Sequence, residues 1–477
     1  MSHGNCGCVQ PVANSSPGMS RARQLSAKSL DQKLANIHAS PGSAKDFILA
    51  DAKDADMATG LAAPGKDGRT GKIRSLADYR DQMREVTKQA LVDIMLMSAS
   101  TSELLTVKER MFDHSPVTPA CRSNATTDIH LPAGGNYATE PSRPFRSATI
   151  EQIMSGKANP AGDEWTLGAD LGLYSITPNN RLDFDYVTLD AYKQYRIEAE
   201  KKGFRHFLEV FDPNACGTVC PADLGRYIND LIVRTLAGVP STGRPVFLKI
   251  VYHGPKSMEE LVSYDPHLVP GILGGSSGTT FDAFHLLAEA KKYGARAALF
   301  GRKINNSEHQ LTFVSYLRAI ADGKITPTEA TKAYHGDLAK LGIKAYRALN
   351  DDLQETTTAS SYSGTSSSGS VAVAPPKRAD ESAKTQSAVP ASRQIQSQQK
   401  NDAPDFKSMT AAQKVAYARQ KLRADLARDR EFSSGATGGS GAPRMGATGG
   451  SSGSSAPRTS VIPRPSATIP KRTESAG

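Results

Sequence analysis

Between about residues 44 and 350 the chain alternates eight short apolar runs with amphipathic stretches, and this rhythm constrains the fold more than any other feature. The runs are Phe47–Asp51, Val92–Ser98, Val117–Arg122, Asp170–Ile176, His206–Phe211, Val246–Tyr252, Leu268–Leu273 and Arg296–Gly301. Each has the length of a buried strand rather than of a helix. Between them lie helical patterns such as Leu76–Ala90, Tyr192–Lys202, Leu224–Ala237 and Phe281–Tyr293. The last is introduced by Thr279 and Asp282 at capping-box spacing and followed by Gly294. Strands that alternate with helices pair in parallel, and eight such units close into a (β/α)8 TIM barrel. A span of roughly 300 residues suits a barrel with one insertion. The insertion is expected at Leu131–Gly168, rich in Gly, Pro and Ser and holding the single tryptophan, Trp165. It leaves the third strand at the end where barrel sites lie, so it reads either as a lid or as a surface loop.

The flanks have a different composition. Residues 1–43 read as a flexible N-terminal segment. Residues 351–477 read as a low-complexity, disordered basic tail, dominated by Ser, Gly, Ala, Pro, Thr and Gln, with too few large apolar side chains to offset the entropy of ordering. From residue 354 onward there are 17 Lys and Arg against nine Asp and Glu, so most of the formal charge of +10 belongs to the tail. The folded part is close to neutral and gives no reason to expect nucleic-acid binding. Within the tail, 409–432 carries Ala411, Val415, Ala418, Leu422 and Leu426 at helical spacing among basic residues. It reads as a transient solvated helix or as one that docks on a partner. No apolar stretch is long enough to span a membrane. The five cysteines, Cys6, Cys8, Cys121, Cys216 and Cys220, are odd in number and form no pair of CxxC motifs. Reduced thiols in a cytoplasmic setting are the expectation.

Two of the strands carry chemistry. Lys249 stands in the middle of Val246-Phe247-Leu248-Lys249-Ile250-Val251-Tyr252, and Glu209 in the middle of His206-Phe207-Leu208-Glu209-Val210-Phe211. A charge in an apolar strand is costly unless it is paired or neutralised. Desolvation favours the neutral amine, which can attack a carbonyl and form a Schiff base, with a neighbouring carboxylate moving protons. The same two residues would also serve as a structural ion pair. Barrel sites lie at the C-terminal ends of the strands. There, the seventh strand runs into Gly274-Gly275-Ser276-Ser277-Gly278-Thr279-Thr280, and the eighth ends in Phe300-Gly301-Arg302-Lys303. Glycine backbone amides, a helix N-terminus and an arginine are a suitable set for phosphate. Arg122 and Asn124, ending the third strand, are candidates for binding substrate oxygens. The ten histidines are scattered with no HxH or HExxH spacing, so no metal site is expected.

Five stretches carry a resemblance to a known family. FLKIVYHG, GILGGSSG and ALFGRKINN, between Phe247 and Asn306, resemble the last third of the archaeal-type class I fructose-bisphosphate aldolases. HFLEVFDPN resembles the glutamate-bearing strand of the class I tagatose-bisphosphate aldolases, and FILADAKDADMATG resembles the first strand of that superfamily. The resemblance covers roughly 44–347. It implies a lyase without a cofactor, in which Lys249 forms the Schiff base, Glu209 transfers a proton and Asp51 supports the site. Gly274, Gly275, Ser276, Gly301 and Arg302 would hold a phosphate. After Asp51 the chain departs from the family with Ala52-Lys53-Asp54. Tyr174 on the fourth strand is a candidate acid/base hydroxyl or a packed rim residue. The expected partner is a small sugar phosphate. A homo-oligomer and a partner for the tail stay open, as does the alternative of a catalytically inactive aldolase-like barrel acting as a scaffold.

Overall fold

The computed structural model describes residues 27–67, 70–129, 134–275 and 278–356. Eight parallel strands close on themselves in the order expected of a TIM barrel. They are β1 Ile48–Lys53, β2 Ile94–Met97, β3 Thr118–Arg122, β4 Leu171–Ile176, β5 Arg205–Val210, β6 Leu248–Ile250, β7 Pro270–Leu273 and β8 Ala297–Phe300. Each falls within or across one of the eight apolar runs. Residue alternation sorts the strand side chains into two shells. Ile48, Ala50, Ile94, Leu96, Ala120, Leu171, Leu173, Phe207, Phe247, Val269, Ala297 and Leu299 fill the barrel interior as one cluster. Their neighbours, among them Leu49, Met95, Cys121, Tyr174, Leu208, Leu248 and Ile272, pack with the surrounding helices in a second. A run apolar at both parities is what burial on both faces of a parallel sheet requires.

The helices begin where the local chemistry says they should. Ser75 and Asp78 form a capping box on Leu76–Gln89. Thr279 and Asp282 do so on Thr280–Lys292, which ends just before Gly294 at φ +108°. Thr326 and Glu329 do so on Pro327–Lys340, with proline at its first position. The fourth-unit helix, Leu182–Lys201, begins before its apolar pattern Tyr192–Lys202, and Leu182, Tyr186 and Val187 in its first turns are exposed.

Four expectations need correction. First, the stretch expected to be a flexible N-terminal segment contains the helix Ser29–Ala39. Leu30, Leu34 and Ile37, at helical spacing, join the barrel-interior cluster. The Lys28 ammonium donates to the carbonyls of Phe112, Ser115 and Val117 at 2.5, 2.7 and 3.1 Å. The helix therefore closes the barrel at the end away from the strand C-termini. Second, the insertion is in part the third crossover. Pro144–Phe145 pairs antiparallel with Ala125–Thr126, and the helix Ile150–Ser155 buries Ile150, Ile153 and Met154 against the core. Third, Cys216 and Cys220 are joined by a disulfide across a short turn after β5, where reduced thiols were expected; Cys121 is a buried free thiol. Fourth, ordered packing runs past residue 350. The Asp352 carboxylate accepts from the amide of Thr280 at 2.8 Å and pairs with His335 at 2.9 Å. Thr279 Oγ1 donates to the carbonyl of Gln354 at 2.8 Å, and the amide of Thr356 donates to Asp282 at 2.9 Å. The helical stretch 409–432 and the rest of the tail lie outside the described residues. Among the described residues no helix is long and apolar enough to cross a membrane.

Two stability outcomes follow from this packing. Leu30→Ala is expected to cost about 2–5 kcal/mol, the range for emptying a buried leucine site, read as a lower denaturant midpoint at unchanged slope. Truncation after Thr356 should leave the melting temperature nearly unchanged. Truncation after Asn350 should lower it, because it removes the charge-assisted bond that the Thr280 amide donates to Asp352, worth about 1.5–3 kcal/mol, together with the contacts of Gln354 and Thr356.

Candidate active site

Register places the site. Ser175, Glu209, Lys249 and Gly271 are successive partners across β4, β5, β6 and β7. Glu209 and Lys249 share parity with Phe207 and Phe247 of the interior cluster, so both point into the barrel. The Lys249 ammonium lies 2.6 Å from Glu209 Oε1, with side chains 7% and 2% exposed. The other carboxylate oxygen of Glu209 accepts from Ser175 Oγ at 2.6 Å and from an Arg122 terminal nitrogen at 3.2 Å. Arg122 reaches across the barrel mouth. Its Nε donates to Asp54 Oδ2 at 2.5 Å, and its other terminal nitrogen donates to Ser175 Oγ at 2.9 Å and to the carbonyl of Asn124 at 3.2 Å.

The result is a buried quartet of two cations and two anions: Lys249, Arg122, Glu209 and Asp54. Charges stripped of water persist only when compensated in this way. Burial pushes the Asp54 carboxyl upward, but Arg122, and Lys249 through space, outweigh it and hold Asp54 below the usual carboxylate range. Such a site can shuttle a proton between an amine and a carboxylate in direct contact while Arg122 keeps the second carboxylate ionised.

Not every residue expected at the site is brought to it. Asp51 and Lys53 have the opposite parity and face the helix Leu76–Gln89. Lys53 Nζ lies 3.2 Å from Asp51 and 5.8 Å from the centre of the Tyr79 ring. Both side chains are fully buried. Burial drives the Asp51 carboxyl up and the Lys53 amine down, each partly countered by the other. This pair sits behind the barrel wall, and Asp54 is the β1 carboxylate that reaches the mouth. Tyr174 also faces outward, stacked on Tyr195 with ring centres 4.4 Å apart and tilted against Tyr192 at 5.3 Å. Burial raises its hydroxyl to about 12. It is the packed rim residue of the two alternatives. Asn124 exchanges hydrogen bonds with the backbone of Ser175, at 2.9 and 2.7 Å, and fixes β3 against β4. Asp54 and Ser175 were missed in the sequence, although stepping by two from Ala50 and Ala52, or from Leu171 and Leu173, leads to both.

The glycine turns lie side by side because β7 and β8 are neighbours. Gly275 has φ +62°, a conformation that glycine adopts without steric cost. A Cβ on Gly301 would fall 2.4 Å from the carbonyl oxygen of Ala52, so only glycine lets β8 turn this closely against β1. Gly301 caps the short helix Arg302–Asn305, and Arg302 is exposed at its start. Ser276 lies outside the described residues. The next helix, Thr280–Lys292, offers less than its sequence suggests. The amide of Thr280 is taken by Asp352 and that of Asp282 by Thr279. A phosphate at these turns would therefore meet the glycine amides and Arg302 rather than that end of the helix. Among the described residues no group of three His, Cys, Asp or Glu side chains is arranged to hold a metal ion.

Comparison with known proteins yields no matching family model and no matching curated protein. Among solved structures, an archaeal fructose 1,6-bisphosphate aldolase is 17% identical, covering 62% of this chain and 99% of its own, with a TM-score of 0.46. An archaeal fructose-1,6-bisphosphate aldolase whose catalytic lysine is covalently bound to the carbinolamine intermediate of its substrate is also 17% identical. It covers 62% of this chain and 100% of its own, with a TM-score of 0.46. A fructose-bisphosphate aldolase from Slackia heliotrinireducens is 12% identical over 64% of this chain and 91% of its own, with a TM-score of 0.47. The barrel rests on the strand order given above, and at these identities and TM-scores the neighbours' activities remain those of the neighbours.

Proposed function

We propose that this barrel is a class I aldolase-type lyase. Lys249 forms a Schiff base with a phosphorylated ketose or aldehyde, and a carbon–carbon bond is then cleaved or formed. The observation that carries this reading is the contact of the buried Lys249 amine with Glu209 at 2.6 Å, inside a charge-balanced cluster at the C-terminal ends of the strands, where barrel enzymes keep their sites. The ammonium passes a proton to Glu209, and the free amine adds to the substrate carbonyl. The carbinolamine loses water, with Glu209 returning the proton to the departing hydroxyl. The protonated imine draws electrons from the adjacent carbon–carbon bond as a base removes the proton of the β-hydroxyl. An aldehyde leaves, and an enamine remains on Lys249. Protonation of the enamine carbon and addition of water release the second product and restore the amine. Asp54 and Glu209 are the carboxylates within the quartet that can serve the β-hydroxyl. Arg122 holds both in place and balances their charge. Gly274, Gly275, Gly301 and Arg302 are proposed to bind the phosphate. A cytoplasmic setting belongs to the same proposal and rests on the aldolase-type reading alone, since Cys216 and Cys220 are joined by a disulfide.

The deciding experiment is borohydride trapping. Incubation with dihydroxyacetone phosphate or related carbonyl compounds should add mass at Lys249. An absence of adduct across the panel, or labelling that persists in Lys249→Ala, would leave the barrel as an inactive scaffold. Glu209→Gln should lower the melting temperature, because it leaves Lys249 and Arg122 short of one compensating charge, and in the folded fraction should slow turnover by roughly 10²–10⁴-fold, the usual contribution of a positioned acid/base group; unchanged turnover would reduce Glu209 to an ion-pair partner. Arg302→Ala should raise KM for a phosphorylated substrate far more than for its unphosphorylated analogue. Equal losses in kcat/KM for both would assign the arginine to the fold.

A further inference from the structure

Four lysine and arginine side chains are buried among the described residues: Lys53, Arg122, Lys249 and Lys303. Three of them have an acid in contact: Asp51 for Lys53, Asp54 and Glu209 for Arg122, and Glu209 for Lys249. Lys303 is 6% exposed, and among the described residues its ammonium has no ion pair and no hydrogen bond. It follows Gly301 and Arg302 at the end of β8, and the two side chains part there: Arg302 is exposed, whereas Lys303 is turned into the protein. The turn after β7 lies against the same place. A Cβ on Gly274 would fall 3.0 Å from the Phe300 ring, and one on Gly278 would fall 2.0 Å from Asp282 Oδ2. Asp282 is the acid whose charge reaches Lys303, yet its oxygens are committed elsewhere. They accept from the amide of Thr279 at 2.8 Å, from the amide of Thr356 at 2.9 Å and from the Thr356 hydroxyl. Burial brings the Lys303 amine down to about 8, with Asp282 opposing the shift and Arg302 adding to it.

We propose that Lys303 is the inner charge partner of an anion at the β7–β8 corner, and that this anion is the phosphate of a phosphate monoester. The proposal rests on the reading of the glycine turns as a phosphate site and adds to it the residue that contributes most to affinity. A buried charge persists only when it is compensated, and the described protein offers Lys303 no acid of its own. A phosphate monoester carries about two negative charges at neutral pH, which Lys303 and Arg302 together balance. A carboxylate would leave one cation over. The exposed Arg302 is screened by water and salt. Lys303 is shielded from both and makes the stronger charge-assisted bond. In the ligand-free protein its uncompensated charge destabilises the corner, and the anion relieves that cost.

The test uses the full-length protein and titration calorimetry with glycerol 3-phosphate, which carries the phosphate but no carbonyl and so cannot form an imine. Glycerol is the unphosphorylated control. Lys303→Met keeps the length of the side chain and removes its charge. It should weaken glycerol 3-phosphate binding by about 10- to 100-fold, the loss of one bond to a charged group. The ligand-free melting temperature should stay the same or rise, and trapping of dihydroxyacetone at Lys249 should match wild type. Arg302→Ala should weaken binding less, by an amount that shrinks as salt is raised. If Lys303→Met folds poorly, Lys303→Gln gives the same comparison. Unchanged affinity in the lysine variants overturns the proposal and leaves the turns and Arg302 as the phosphate site. Tighter binding of glycerate than of glycerol 3-phosphate overturns the choice of phosphate. A wild-type protein that binds neither glycerol 3-phosphate nor inorganic phosphate removes the phosphate reading and this proposal together, and dihydroxyacetone trapping still decides the imine at Lys249.

Discussion

The interaction on which the mouth of this barrel depends is the compensation of four buried charges. Lys249, Glu209, Arg122 and Asp54 come from four different strands or strand ends, and no two of them are near in sequence. Each would be prohibitively costly to bury alone. Together they are electrically balanced, and Ser175 satisfies oxygen and nitrogen on both sides of the Arg122–Glu209 contact. Removing one member leaves an uncompensated charge among side chains that are almost fully buried, a situation that typically costs about 3–5 kcal/mol. The same arrangement that makes the mouth a single cooperative unit also places an amine against a proton acceptor, which imine chemistry requires.

A second division of labour runs through β1. Its inward positions serve the interior and end in Asp54. Its outward positions hold the buried Asp51–Lys53 pair against the helix Leu76–Gln89. Two acid–base pairs therefore lie on opposite faces of neighbouring residues, one facing the site and one behind it. Among the described residues the Asp51 oxygens and Lys53 Nζ find no further hydrogen-bond partner, so the pair contributes to the packing of the first unit at a desolvation cost. The inward residues gain more partners because Arg122 and Ser175 of neighbouring strands reach them.

The two ends of the folded chain are used in complementary ways. The N-terminal helix closes the far end of the barrel with three apolar side chains. The last described residues brace the start of the helix Thr280–Lys292, beside the glycine turns. Asp352 occupies the amide of Thr280, so a phosphate bound there as proposed would rely on the turns themselves and on Arg302.

Much of the fold was legible in the sequence because it is encoded locally. Strand length, apolar runs, the capping box at Thr279 and the repeat of strand and helix all act over a few residues. Together they imply eight parallel units that close. Lys249 and Glu209 were legible for a related reason: a charge in an apolar strand stands out whatever surrounds it. What only the tertiary structure decided is which charges face each other. Asp51 lies in the more conspicuous apolar run, yet Asp54 reaches the mouth, because inward or outward orientation changes with every residue and a register read one position off exchanges the two faces. Tyr174 was a plausible hydroxyl until its parity placed it among Tyr192 and Tyr195. The roles of Arg122 and Ser175 and the bracing by Asp352 depend on contacts between residues tens to hundreds of positions apart. Such contacts arise from closure of the barrel, which brings the ends of all eight strands to one place, and no local pattern in the chain records them.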